Sequence, residues 1–142
     1  MLENGGSMNQ LTGTISHIQQ SGSIMLVDVD VVGYNYSALM IDLPQALSWL
    51  HEGNSIGLIF KETEVSIGKN ITGKISLRNQ LPCVVKSVKR GEILSVIELA
   101  VSGNTIISAI TTRSADMLKI RTGDSVTAFI KANEIILTEL KA

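Results

Sequence analysis

Ser76-Leu77-Arg78-Asn79-Gln80-Leu81 decides the reading of this chain, because its second half has already appeared once: Asn9-Gln10-Leu11 lies 70 residues upstream. The same offset links Val31 to Val101, Gly33 to Gly103, Gly53 to Gly123, Ser55 to Ser125, Lys61 to Lys131 and Glu64 to Glu134. Apolar positions follow it too, Ile15 with Val85, Ile24 with Leu94 and Val65 with Ile135. Nine identities in order at one fixed offset mark an internal duplication. The chain is read as two copies of a unit of about 65 residues, joined near Gly68-Lys69-Asn70.

Within the second copy, Val84 to Val88 alternates apolar and polar residues, as a half-buried strand does. Leu94 to Val101 reads as a strand leading into a turn at Ser102-Gly103-Asn104, and β-branched Thr105 to Thr111 as the returning strand. Ser114 to Leu118 reads as a short helical turn with Ser114 as its N-cap. Gly123-Asp124 is a turn, and Val126 to Lys131 and Glu134 to Leu137 are two further strands. The first copy repeats this order, with Pro44 opening a short helix through Leu50. Three strands, a helix and two strands match the element order of a small OB-like Greek-key barrel. The expected fold is therefore all-β, two tandem barrels over residues 8–68 and 73–140, each with a short helix between its third and fourth strands.

Composition bounds the function. The chain has 142 residues, 44% of them hydrophobic, only five aromatics and a net charge of −1. Such a chain buries a core but lacks the basic surface and stacking platforms of a nucleic-acid binder. Its single cysteine, Cys83, excludes a disulfide framework and a thiolate metal cage. No apolar run approaches a membrane span and no signal peptide opens the chain, so a cytoplasmic location is expected. Met1 to Ser7 precede a second plausible start at Met8 and read as an expression remnant, with a native extension as the alternative. Residues 1–70 hold two Lys/Arg against seven Asp/Glu, and residues 71–142 hold ten against six. Halves of opposite charge suit an oligomer in which one copy's acidic half faces a neighbour's basic half, although surface drift between duplicates explains the same counts.

The duplication also serves as a control. Asn79 occurs in both copies, so its simplest role is structural, a hydrogen bond to backbone at the start of the first strand. Ser76 and Arg78 correspond to Gly6 and Met8, so their role belongs to the second copy alone. Two apart on an extended strand, they project to one face, where a hydroxyl and a planar fork of charged donors suit a tetrahedral oxyanion. Lys131 supplies a second cation if its strand lies alongside, and Thr111 another hydroxyl. The competing reading makes Arg78 a solvated strand residue and Ser76 a turn residue.

Ser76 to Leu81, Gly103-Asn104-Thr105, Ala109 to Thr112 and Phe129 to Ala132 together resemble the molbindin (Mop) domain. Met8 to Leu11, Ser37 to Met40 and Phe60 to Thr63 give a divergent second match, so residues 8–140 resemble a tandem di-Mop protein. The resemblance implies a cytoplasmic, three-fold assembly that holds molybdate or tungstate between subunits, for storage and homeostasis. By motif it assigns the oxyanion to Ser76, Arg78, Lys131 and the Ala132 amide, with Thr111 reaching in from a neighbouring domain and Asn79 mainly structural. Of the charged ligands, the first copy keeps only Lys61. Cys83 stands where the family usually has glycine, which Gly13 retains. A sensing module of a molybdate-responsive transcription factor or a transporter ATPase is the nearest alternative, and an OB domain for single-stranded nucleic acid a more distant one.

No enzyme is expected, for lack of an acid–base or metal constellation. Gly68 to Lys74 nominally fits G-x-x-x-x-G-K, but Ile75 replaces the required Ser or Thr and strand-like sequence follows, so a linker explains it better. Asp28 and Asp30 read as a solvated strand face, and His17 and His51 as isolated residues. Lys131 with Glu134, and Lys61 with Glu64, read as salt bridges across a tight turn, which leaves a ligand role for each lysine open. Cys83 reads as a small packed residue.

Overall fold

Alternation of apolar and polar residues sets the strands, and the computed structural model places ten of them among the described residues, 7–41 and 47–140. The first copy supplies β1 (Met8–Ser21), β2 (Ile24–Val31), β3 (Tyr34–Met40), β4 (Ser55–Lys61) and β5 (Ser66–Gly68). The second supplies β6 (Asn79–Arg90), β7 (Leu94–Val101), β8 (Asn104–Thr111), β9 (Ser125–Ile130) and β10 (Ile136–Glu139), with helix α1 (Thr112–Leu118) between β8 and β9. The fold is all-β, two curled five-stranded sheets with a short helix in the second copy. Pro44, the expected start of the first copy's helix, lies outside the described residues. Leu47 to Leu50 form a turn, closed by the Leu50 amide donating to the Leu47 carbonyl at 3.1 Å.

Both copies solve the same local problems alike. Two-residue turns, Val32-Gly33 and Ser102-Gly103, join β2 to β3 and β7 to β8, with φ of 49° and 86° in the first and 47° and 85° in the second. Positive φ at both central positions matches the right-handed twist of a hairpin, and glycine takes the second position at least cost. A bulge falls between Ile15 and His17 in β1 and again between Val85 and Ser87 in β6. β1 pairs with β4 up to Thr14 and with β2 from Thr14 onward, and β6 with β9 up to Val84 and with β7 from Val84 onward, so each bulge falls just past the changeover. The extra residue bends each long strand where it changes partner, which curls the sheet.

The sheets do not follow the order of the copies in sequence. Strand order is β10-β4-β1-β2-β3 in one and β5-β9-β6-β7-β8 in the other, so each copy's last strand completes the other copy's sheet. Ile136 pairs with Ile59, and Ser66 with Phe129. The expected barrels span residues 8–68 and 73–140, and each five-stranded sheet borrows one strand across that boundary. A 65-residue barrel is marginal alone. Here Ile15, Val29, Leu58 and Phe60 of one half and Leu81, Ile97, Ile106 and Ile130 of the other join a single buried cluster.

Two asparagines lock the exchange. Asn9 Nδ2 donates to the Ile107 carbonyl at 2.9 Å, and its Oδ1 accepts the Ile107 amide at 2.8 Å. Asn79 does the same to Ser37, which is Ile107's counterpart: Oδ1 accepts the Ser37 amide at 2.7 Å and Nδ2 donates to the Ser37 carbonyl at 3.0 Å. Asn79 Nδ2 also donates to the Ile130 carbonyl at 2.9 Å. Each half's first strand therefore grips the other half's third strand.

Three local expectations change. The helix begins at Thr112, and its N-cap is Thr111, whose Oγ1 accepts the Ser114 amide at 3.1 Å; Ser114 is the capped residue. Ala132–Glu134 is a 3-10 turn, as is Glu62–Glu64, so the last strand starts at Ile136 rather than Glu134. Asp28 is not simply solvated, since its carboxylate accepts Ser37 Oγ at 2.6 Å and Asn35 Nδ2 at 3.3 Å. In the linker, Lys69 Nζ donates to the Leu118 and Lys119 carbonyls and to Asp124, at 3.1, 3.0 and 3.0 Å. A cation at the C-terminal end of α1 satisfies carbonyls the helix leaves open.

Candidate functional site: a cationic corner in the second copy

The ladder between β6 and β9 ends on the pair Asn79–Ile130. Arg78 and Lys131 are the next residues on those two neighbouring chains, so the register brings the two cations to one corner of the barrel. Both are exposed. Ser76 is exposed too, and it and Arg78 lie in the irregular segment just before β6 instead of on the strand. The strand starts at Asn79 because the opposing chain leaves the ladder there to form the 3-10 turn Ala132–Glu134. The first amides of such a turn have no acceptor within it, and Ala132 opens this one beside Lys131.

The expected Lys131–Glu134 salt bridge does not form. Glu134 Oε1 accepts the Lys131 backbone amide instead, at 3.3 Å, and Glu64 treats Lys61 identically at 3.3 Å. Among the described residues the ion pairs are His17–Glu52, Lys69–Asp124 and Arg90–Asp116, so Arg78, Lys131 and Lys61 keep their charges uncompensated by a bound carboxylate. The register thus sets a guanidinium and an ammonium together beside the turn that Ala132 opens, with Ser76 two residues before Arg78, and such charged donors suit an acceptor-only anion.

The remaining expected residues stand elsewhere. Asn79 sits beneath the corner, 1% exposed, with its amide spent on Ser37 and Ile130. Thr111 is exposed at the end of β8, where its hydroxyl caps α1 and donates to Ser114 Oγ at 2.9 Å. Strand β8 packs on the turn Glu62–Glu64, whereas Ala132–Glu134 packs on β3. Within one chain the strand that ends at Thr111 thus packs beside the turn after Lys61, and the turn after Lys131 beside β3.

Sequence reasoning passed over Glu62. It opens the first copy's 3-10 turn at the position of Ala132, is 6% exposed, and its Oε1 is buried without a hydrogen-bond partner. Burial pushes its carboxyl above the usual range. The signal available in the sequence was its alignment with Ala132 at the offset of 70. Cys83 is buried, and its Sγ donates to the Leu81 carbonyl at 3.0 Å. At the equivalent Gly13 a Cβ would stand 2.6 Å from the Asp30 carbonyl oxygen, so only that copy excludes a side chain there.

Comparison with known proteins agrees with this architecture. The TOBE domain model matches residues 75–137, the second copy. A solved structure of the cytoplasmic molybdate-binding protein ModG, with molybdate bound, superposes with a TM-score of 0.87 at 28% identity, covering 93% of this chain and 96% of its own. A molybdate-binding protein from Sporomusa ovata is 36% identical over 49% of this chain and 100% of its own, with a TM-score of 0.43. The molybdenum import ATP-binding protein ModC of Brucella abortus (strain 2308) is 30% identical over 131 residues, which is 92% of this chain and 33% of ModC. The chain spans a third to a half of the length of the curated relatives it matches. Fold, duplication and corner define a tandem pair of TOBE-type, OB-like barrels. The TOBE match and the full-length likeness to ModG support a place in the molbindin (Mop) family, as a di-Mop protein.

Proposed function

We propose that this protein binds molybdate and tungstate at the corner of Ser76, Arg78, Lys131 and the Ala132 amide, in the cytoplasm, as a store that buffers the free oxyanion. The reading is carried by one observation: two cations with no carboxylate partner meet at the end of a ladder, beside a turn amide, in a chain of the ModG architecture. Molybdate at neutral pH is a dianion whose oxygens all accept. Desolvating it is costly, and several charge-assisted bonds acting together replace its hydration. Arg78 offers a planar fork for two oxygens, and Lys131 a point charge.

In this reading one chain does not complete the site, since the strand that ends at Thr111 packs on the turn after Lys61 while the turn after Lys131 packs on β3. A second copy of the chain supplies the Thr111 hydroxyl, which ties binding to assembly; a trimer satisfies this, and ligand then stabilises the oligomer by mass action. The function is binding rather than catalysis. A sensing module within a molybdenum transporter retains this chemistry and differs only in what the chain is joined to; the 92% cover by ModC supports that second reading.

Isothermal titration and native mass spectrometry with molybdate, with sulfate as control, test the proposal. Molybdate additions on an oligomer and none with sulfate at matched concentration are expected, because sulfate is smaller and contacts the same donors less well. Arg78→Ala is expected to keep the fold and lose at least a hundredfold in affinity, about 3 kcal/mol for a charge-assisted contact of this kind. Unchanged affinity in a folded Arg78→Ala protein refutes the assignment.

A further inference from the structure

The duplication sets two corners side by side for comparison. In the first copy Met8 pairs with Lys61 on β1 and β4, and Glu62 opens the turn that follows. In the second, Arg78, Lys131 and Ala132 occupy the same three positions. Lys61 is thus the one charged donor common to both registers, and it is exposed without an ion pair among the described residues. By itself it invites the reading that both corners hold the ligand.

We infer that they do not: Glu62, with Met8 in place of the guanidinium, closes the first corner to dianions, so each chain presents one oxyanion corner instead of two. This inference rests on the function proposed above. The charge balance is reversed between the corners. The second has Arg78 and Lys131 against Glu134, and the first has Lys61 against Glu62 and Glu64. Glu62 is also placed where it cannot be ignored. Glu62 is 6% exposed, and its Oε1 is buried with no hydrogen-bond partner. A dianion brought to the Lys61 corner comes to a turn opened by a carboxyl where the second corner has a methyl group, and like charges brought close together outside bulk water are unfavourable. Loss of the fork at Met8 removes the bidentate contact that would offset this. Lys61 then remains as an ordinary exposed cation, its backbone amide held by Glu64 as Lys131's is by Glu134.

Counting bound molybdate per assembled particle by native mass spectrometry tests the inference on three full-length proteins. These are the unaltered chain, Arg78→Ala, and Gly6→Ser/Met8→Arg/Ile41→Thr/Glu62→Ala, which writes the second copy's residues into the first. Arg78→Ala is expected to lose the whole strongly bound complement, and retention of about half of it would show that the first corner is itself a site and overturn the inference. The quadruple variant is expected to bind about twice the unaltered number. An unchanged number in a quadruple variant with native circular dichroism also overturns it. Ala132 shows that the turn accepts alanine at this position, which favours a folded variant. Absence of molybdate on the unaltered protein refutes the proposed function itself, a result distinct from either outcome above.

Discussion

Replacing Asn79 by alanine separates a structural from a ligand role at the motif's central residue. Asn79 makes three hydrogen bonds, to the Ser37 amide, the Ser37 carbonyl and the Ile130 carbonyl, at 2.7, 3.0 and 2.9 Å. Ser37 and Ile130 are 1% and 0% exposed, so water does not reach the groups that alanine would leave bare. Each net bond is worth about 1 kcal/mol, and stranding a buried donor adds about 1–2 kcal/mol more. The expected loss is therefore about 3–5 kcal/mol, a large share of a typical total of about 5–15 kcal/mol. Asn9, with two bonds to the half-buried Ile107, whose backbone water can partly reach, is expected to cost about 2 kcal/mol. Urea unfolding at fixed protein concentration measures both, with the slope against denaturant checked for constancy. Molybdate affinity of the folded fraction of Asn79→Ala should stay within a few fold of the unaltered protein. A loss of stability below 1 kcal/mol would refute the clamp, and abolished binding by a stable variant would make Asn79 a ligand after all.

Two further expectations follow from titrating groups. Burial pushes the Cys83 thiol up to about 11, so native protein at pH 8 should react with an aromatic disulfide reagent only as fast as it unfolds; rapid stoichiometric labelling would contradict its burial. The hydrogen bond from Lys69, aided by the Arg121 amide, holds the Asp124 carboxyl below its usual range. A depressed carboxylate contributes stability that is complete above its unfolded value near about 3.9 and is lost as pH falls through the lower folded value. Lys69→Met should therefore flatten the loss of stability below about pH 4, and an unchanged acid profile of urea midpoints would exclude the linker staple as its source.

Most of the scaffold was legible because it obeys short-range rules. The turn at Ser102-Gly103 announces itself through a glycine between β-branched runs, and its twin at Val32-Gly33 confirms it. Arg78 stands out because Asn79-Gln80-Leu81 has a counterpart and Arg78 does not, whereas Lys131 is repeated as Lys61. The helix start was misplaced by two residues because Thr111 and Ser114 are both good caps, and only the backbone at Thr111, at φ −64° and ψ 146°, is extended. Glu134 reads as the start of the last strand because Ile135 to Leu137 follow it with a strand's composition, whereas it closes the 3-10 turn Ala132–Glu134.

What the amino-acid order determines alone is the duplication, the alternating strands, the hairpin turns and the excess of donors at the end of the second copy. Each of these arises from neighbours a few residues apart. The tertiary structure alone decides that β5 and β10 change places, that Asn9 and Asn79 clamp across the halves, and that Glu62 is buried where Ala132 is not. Two copies of one unit present nearly equivalent sheet edges, so local propensity cannot choose between a copy's own last strand and its twin's. Long-range packing makes that choice, and with it the neighbours of every residue at the two corners.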